Sequence, residues 1–411
     1  MKNFFLFLSL FLPILIYNRT LYDTSLFTAY IAIISLLIIF VNIILIKKID
    51  YTLIKYIVPF FLLYIAGMTT TIFRSSDELV NIFNRSMPIL FFCAGYILIT
   101  SYNLVGNNNR YIIKLFFYLS ILSTAYTLIF AINYYGFTLV EARYQVLPNT
   151  INFLISFFFA SYILSIKKFN GYLCLLFFIT VVLISATRTY LLVGIIVFFI
   201  SILFKNKLDL VKTFFTFFSI AFIVGIILFI FKDNLLIVSF YERIILYQSL
   251  GYDPTTAGRL FEMSKQLDML TNEISGFLFG YGFTHPIDVA GFGYDLSGNT
   301  SVATTHGYGH NLYVGLLFVP GVLVGLSCVY VLISSWVSIK FLFIKNLISS
   351  NNIDSDEKFV KIFFYLSFLF FLLQNIFGVT LGSKAGSLYF GICLGAVRII
   401  SKEKKIIDSS N

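Results

Sequence analysis

Runs of apolar residues, each ended by a few polar positions, occupy almost the whole chain. Twelve such runs fall at about 4–17, 26–46, 53–73, 87–102, 111–132, 149–165, 171–186, 189–204, 212–232, 310–337, 358–378 and 383–400. A hydrocarbon layer about 30 Å thick takes about 20 apolar residues as a helix. The pattern therefore predicts an all-α polytopic membrane protein with about 12 transmembrane helices. The first run is short and the pair flanking Arg188 is closely spaced, so a count one lower or one higher fits as well. Lys2 followed by apolar residues to Tyr17 has the outline of a signal peptide, but no small-x-small cleavage site follows, so it reads as a first membrane helix. No repeat of 20–50 residues is visible.

One stretch departs from this rhythm. Residues 233–309 form a polar excursion of 77 residues, far longer than a structureless connection in a compact domain. It divides the chain into residues 1–232, with about nine helices, the large loop, and residues 310–411, with the last helices and a polar tail. Inside the loop, Asp253 and Pro254 read as an N-cap and a proline at the first helical position. A helix to about Ile274 follows. Leu260, Met263, Leu267, Leu270 and Ile274 line one stripe of it, and Arg259, Glu262, Gln266 and Glu273 another. Such an amphipathic helix suits a membrane surface or the cap of a bundle. Gly280-Tyr281-Gly282-Phe283 and a glycine-rich polar stretch come next. They permit tight turns and close backbone approach to a ligand, and a plain flexible loop fits them equally well.

Composition sharpens this picture. Of 411 residues only 12% are charged and 59% are hydrophobic, with mean hydropathy +0.92. A water-soluble chain is about a quarter charged, so lipid is the solvent. The 50 Phe and 27 Tyr suit lipid-facing and interfacial positions. With the N-terminus in the cytoplasm, 19 of the 29 Lys and Arg fall in cytoplasmic segments, and each cytoplasmic loop holds at least two. Both termini are then cytoplasmic and the large loop is external. The net charge of +10 is retention charge, and no nucleic-acid partner is expected. Cys93, Cys174, Cys328 and Cys393 lie in apolar runs without a CxxC pair and read as small buried hydrophobes.

Arginine is sorted differently from lysine. Seven of nine arginines (Arg19, Arg74, Arg85, Arg143, Arg188, Arg243 and Arg259) fall outside, and only Arg110 and Arg398 inside. A guanidinium fork fits phosphate, so the outer face suits a phosphorylated ligand; codon bias and pairing with external carboxylates explain the sorting as well. Arg188 is the only strong charge in about 35 residues and marks a functional position unless it snorkels to the headgroups. All three histidines, His285, His306 and His310, fall in the loop, and His310-Asn311 stands where the next membrane helix begins. Histidine moves protons near neutral pH. His306 and His310 are four apart, but Gly307 and Gly309 argue against a shared helical face and there is no HExxH, so no metal site is expected. Asp354-Ser355-Asp356 has the DxD form of sugar-nucleotide enzymes, yet the charge rule puts it in a cytoplasmic loop beside Lys345, Lys358 and Lys361. GxGxxG, Walker A and GxSxG are absent, which argues against nucleotide-driven chemistry.

Three segments, in order, resemble the bacterial O-antigen polymerase/O-antigen ligase superfamily. They are Thr187-Arg188-Thr189-Tyr190-Leu191-Leu192, Ala257-Gly258-Arg259-Leu260 at the amphipathic helix, and His310-Asn311-Leu312-Tyr313 with Pro320-Gly321 and Gly325 beyond. The shared block runs from about 170 to 340; the first 150 residues match only as hydrophobic spans. The resemblance implies a GT-C-like membrane glycosyltransferase of the bacterial inner membrane, acting on undecaprenyl-diphosphate-linked glycan at the periplasmic face without metal, nucleotide or other cofactor. Its site would comprise Arg188, Arg259 and His310, with Arg143, Arg243 and Asn311 against diphosphate or glycan. Arginines would stabilise the departing diphosphate, and the histidine would orient or deprotonate the acceptor hydroxyl. Tyr308, where ligases carry a second histidine, and Gly280–Phe283 favour polymerase over ligase. Implied partners are the carrier-linked oligosaccharide, membrane lipid, a chain-length regulator and a flippase. A lipid-linked sugar flippase is the alternative of another class, although transporters favour mid-span charges and internal repeats.

Overall fold

The computed structural model describes residues 2–15, 26–46, 50–74, 79–102, 109–135, 147–148, 150–165, 171–185, 187–204, 254–288, 304–339, 341–350, 353–376, 378 and 380–410, with isolated positions 222, 225, 226, 230 and 238. In chain order its helices are α1 (Lys2–Leu15), α2 (Leu26–Ile46), α3 (Tyr51–Ile54), α4 (Val58–Arg74), α5 (Leu79–Ser101), α6 (Asn109–Tyr135), α7 (Ile151–Leu164), α8 (Gly171–Ser185), α9 (Arg188–Leu203), α10 (Pro254–Asn272), α11 (Ile274–Phe279), α12 (Leu312–Phe318), α13 (Val322–Ser338), α14 (Phe341–Ser349), α15 (Ser355–Gln374) and α16 (Lys384–Ser410). A 3-10 turn at Thr380–Gly382 and a short antiparallel pair, β1 (Pro286–Asp288) with β2 (Thr304–His306), complete the described elements. Leu79–Ser101, Asn109–Asn133, Val322–Ser349 and Lys384–Lys402 are long and apolar enough to cross a membrane, and several shorter apolar helices accompany them. The chain is thus a helical membrane protein. The predicted run at about 212–232 falls largely outside the described residues.

Two boundaries differ from the hydropathy pattern. α5 starts at Leu79 rather than near residue 87, so it carries the polar turn with Asn84 and Arg85; hydropathy assigns such a turn to a loop although nothing in it opposes helix. The predicted span 310–337 is broken. α12 ends at Phe318, Pro320 cannot continue a helix, and Gly321 takes φ +89°, ψ 162°, a region that only glycine enters readily. The chain folds back there: a Cβ at Gly325 would lie 2.7 Å from Leu317 Cα, whereas eight residues of continuous helix rise about 12 Å.

Met1–Leu115, Pro254–Lys340 and Ser367–Asn411 form one compact unit. Its spine is α5 against α16. A Cβ at Gly95 would strike the Leu388 carbonyl, and one at Gly391 the Phe92 carbonyl. Small residues let helix backbones close in where lipid supplies no hydrophobic drive between helices. The contact is extended by Phe92 on Phe390, 5.3 Å between ring centres. Polar groups close onto backbone: the Tyr96 hydroxyl donates to Leu53 O at 2.7 Å and the Tyr389 hydroxyl to Leu10 O at 2.7 Å. Arg398, almost fully buried, donates to Val331 O and Ser334 Oγ and lies 3.7 Å over the Tyr56 ring.

Phe116–Asp253 and Phe341–Leu366 form a second unit. Its interior is built from phenylalanine. Phe116 meets Phe153 at 5.0 Å and Phe364 at 5.3 Å, and Phe157 meets Phe363 at 4.4 Å. Broad rings pack at these distances with dispersion and quadrupole attraction. Much of the phenylalanine read as lipid-facing is therefore core: Phe153, Phe157, Phe359 and Phe363 are fully buried. α7, α8 and α9 have 14, 15 and 16 residues, so each is about 21–24 Å long. All four cysteines of the chain are free and buried.

Candidate functional site

Helix α10 turns its polar stripe inward. Pro254 is its first residue, as its missing N–H allows, and a break at Glu273 separates it from α11. Glu262 and Gln266, four apart and hence on one face, are 1% and 0% exposed, and Leu270 continues that face. Of the apolar stripe, Leu260, Leu267 and Ile274 are exposed and Leu270 is buried. The buried side of α10 packs Leu270 into an apolar cluster with Tyr281, Ile287 and Phe318, while Glu262 and Gln266 meet backbone.

That backbone is the turn 307–310, which follows β2. Gln266 Nε2 donates to Gly307 O at 3.1 Å. Glu262 Oε2 accepts from the His310 backbone N–H at 3.0 Å and lies 2.7 Å from His310 Nδ1. Gly309 makes room. It has φ +62°, and a Cβ there would lie 2.9 Å from Glu262 Oε1 and 3.0 Å from Gln266 Nε2. A buried carboxylate is costly unless it is hydrogen-bonded and paired, and here one oxygen takes two bonds from a single residue. An ionised carboxylate only accepts, so a contact to ionised Glu262 is donated by His310 Nδ1. The His310 side chain is 49% exposed against 1% for Glu262. A buried carboxylate thus meets an accessible imidazole at Nδ1.

The surroundings are braced from three sides. On α4, Thr70 Oγ1 donates to Phe279 O at 2.8 Å, and Thr71 Oγ1 accepts from Phe283 N at 2.7 Å. Arg74 donates to Ser275 Oγ at 2.8 Å, pairs with Glu273 at 3.6 Å and lies 4.9 Å over the Tyr281 ring. Tyr281 stacks on Phe318 at 4.8 Å and donates to Met269 O at 2.8 Å. Burial, with Glu273 nearby, pushes its hydroxyl above the ordinary pKa, so it stays a donor. Asn311 caps α12 by accepting from Val314 N at 3.0 Å and donates to Ile376 O at 2.7 Å. The backbone N–H of Leu312 donates to Asn375 O at 3.1 Å.

The residues singled out from the sequence therefore have different fates. His310 is presented as just described. Arg259 lies on α10 one turn before Glu262, half-buried, so it stands near the carboxylate that holds His310. Asn311 is almost fully buried with both ends of its amide on backbone. Arg188 is the first residue of α9 behind the N-cap Thr187, in the second unit. Arg143 and Arg243 lie outside the described residues. Arg74, counted among the outer arginines, is committed to Ser275, Glu273 and Tyr281. His285 lies tilted against the Tyr281 ring at 4.9 Å, and His306 pairs with Pro286 across the strands. The Asp354 carboxylate accepts from Asp356 N at 3.3 Å at the start of α15, a helix-start contact rather than a metal site. Among the described residues no three His, Cys, Asp or Glu side chains gather as a metal site would require. Glu262 and Gln266, which the sequence places only in the polar stripe of α10, are the residues that meet the His310 turn. No protein-family model matches the chain, and no curated protein matches it.

Proposed function

We propose that the chain is an O-antigen polymerase: a GT-C-like membrane glycosyltransferase with about 12 transmembrane helices, in the bacterial inner membrane with both termini cytoplasmic. It would transfer undecaprenyl-diphosphate-linked glycan onto another lipid-linked repeat unit at the periplasmic face. The observation that carries this reading is the Glu262–His310 pair, a buried carboxylate orienting an accessible imidazole beside an arginine-bearing helix. The order of the three sequence segments supports it independently. In the proposed step the acceptor hydroxyl oxygen bonds to the anomeric carbon, the bond from that carbon to the diphosphate oxygen breaks, and the hydroxyl proton passes to His310 Nε2. Glu262 stabilises the imidazolium that forms. Arg259 and Arg188 take the charge that develops on the leaving diphosphate. Arg188 stands in the first turn of α9, and helix N-termini favour anions. Arg143 and Arg243 are assigned to lipid or glycan contact, and Asn311 to holding the His310 turn in place.

The test is the glycan ladder of cells lacking the chain, complemented with single alanine variants at Arg188, Arg259 and His310 at normal protein levels. The expected outcome is surface core carrying one repeat unit only. Undecorated core with accumulated lipid-linked polymer would assign a ligase instead, and loss of all outward-facing lipid-linked repeats would assign a flippase. Full activity in two of the three variants removes the residue assignment.

A further inference from the structure

Helices α10 and α11 leave an apolar surface to be explained. On α10, Leu260 and Leu267 are seven apart, two helical turns, and share one flank with Met263 between them. Ser264, Asp268 and Thr271 share the next flank and are exposed. The third side, with Glu262 and Gln266, faces the 307–310 turn. α10 therefore has an apolar, an aqueous and a protein side. On α11 the apolar side widens: Ile274, 82% exposed, is joined by exposed Phe277, Leu278 and Phe279.

This surface is continuous with those of apolar helices. Gly321, the N-cap of α13, lies so close to α11 that a Cβ there would strike the Leu278 carbonyl. α13 then exposes Leu323, Leu326, Tyr330, Ile333 and Val337, one stripe at three- and four-residue spacing along a stretch long enough to cross a membrane. At the same level α4 meets α11 through Thr70 and Phe279 O and exposes Ile72 and Phe73. Lipid that covers the α13 stripe reaches α11 without a break.

The geometry points to α10–α11 as an in-plane membrane anchor whose apolar flank is covered by phospholipid acyl chains. Leu260, Met263 and Leu267, with α11, dip into the leaflet, while Ser264, Asp268 and Thr271 face water. Interfacial helices sit with the apolar face about 5–10 Å into the headgroup–acyl boundary. Glu262 and His310 are then held at headgroup depth, where the polar head of a lipid-borne substrate lies. The inference rests on the membrane character of the chain and stands whether or not it is a glycosyltransferase.

The experiment uses the full chain in vesicles of phosphatidylcholine and phosphatidylglycerol, with single substitutions Leu267→Cys, Ile274→Cys, Leu278→Cys and, as the aqueous control, Asp268→Cys. Each is labelled with a small fluorophore; the four native thiols are buried. These positions are exposed, so the substitutions leave the buried packing intact. Lipids brominated along the acyl chain should quench positions 267, 274 and 278 several-fold more than 268, and aqueous iodide should do the reverse. Iodide reaching 267 and 274 as readily as 268 would put the face in water and overturn the anchor. Protection of 267 and 274 from both quenchers would also overturn it, by showing a second copy or another protein on that face.

Discussion

At the residue scale the candidate site is one carboxylate and one imidazole 48 positions apart in the chain. The sequence marks His310 through its place at a helix entrance. It also marks Glu262 as part of a polar stripe, but nothing local to α10 shows that a returning loop will offer it an imidazole and an N–H. On the proposed reaction, His310→Ala should abolish in vitro polymerisation of a defined lipid-diphosphate repeat. Glu262→Gln keeps the size and an acceptor oxygen but loses the charge that stabilises imidazolium, so the rate should fall about 100-fold or more. An unchanged rate with Glu262→Gln would mean that the bond only fixes the turn. Gly309→Ala tests the geometry from the other side. Alanine at φ +62° costs about 1–2 kcal/mol and pushes on Glu262 and Gln266. Its expected signature is lost activity with helical circular dichroism preserved.

At the element scale, helix existence is readable from hydropathy and helix association is not. α10 and its start at Pro254 follow from capping chemistry and periodicity, yet the partner of its polar side does not, since amphipathicity shows that two sides differ and not what each will meet. The α5–α16 spine is written in Gly391 and Gly395, four apart on one helix face, a signal that a search for catalytic motifs passes over. Gly391→Leu forces these backbones apart and should cost about 1–3 kcal/mol or more, read as a lower melting temperature in detergent. Gly194→Ala in α9 is the contrast. Its Cβ would meet Phe178 at 3.4 Å, an ordinary contact, and alanine is favoured over glycine inside a helix by about 0.5–1 kcal/mol, so that variant should melt no lower than the parent. Thr71→Val removes the acceptor for the buried Phe283 N–H and should cost about 1–3 kcal/mol. Because Thr71 binds the loop to α4, protease sensitivity at residues 280–288 should rise with it.

At the scale of the whole molecule, composition is enough to choose lipid as solvent, since a chain with 12% charged residues has too few to cover itself in water. The finer architecture is less accessible. A hydropathy window averages over Pro320-Gly321 and merges α12 with α13, and it cannot tell a phenylalanine in lipid from one among Phe116, Phe153 and Phe363, because both sit in apolar runs. What the chain does state at this scale is direction. Lysine recurs in alternate predicted loops, and a loop charged in this way resists translocation, so charges far from the site predict an external position for residues 233–309. Periplasm-dependent enzyme reporters fused after residues 238 and 290 should be active, and fusions after residues 50 and 352 silent. The chemistry depends on that outcome. A carrier-linked glycan presented at the periplasmic face can reach His310 only if the large loop is on the same side. Silent reporters after 238 and 290 would therefore remove the glycosyltransferase reading, while the α10–α11 anchor would remain, on the opposite leaflet.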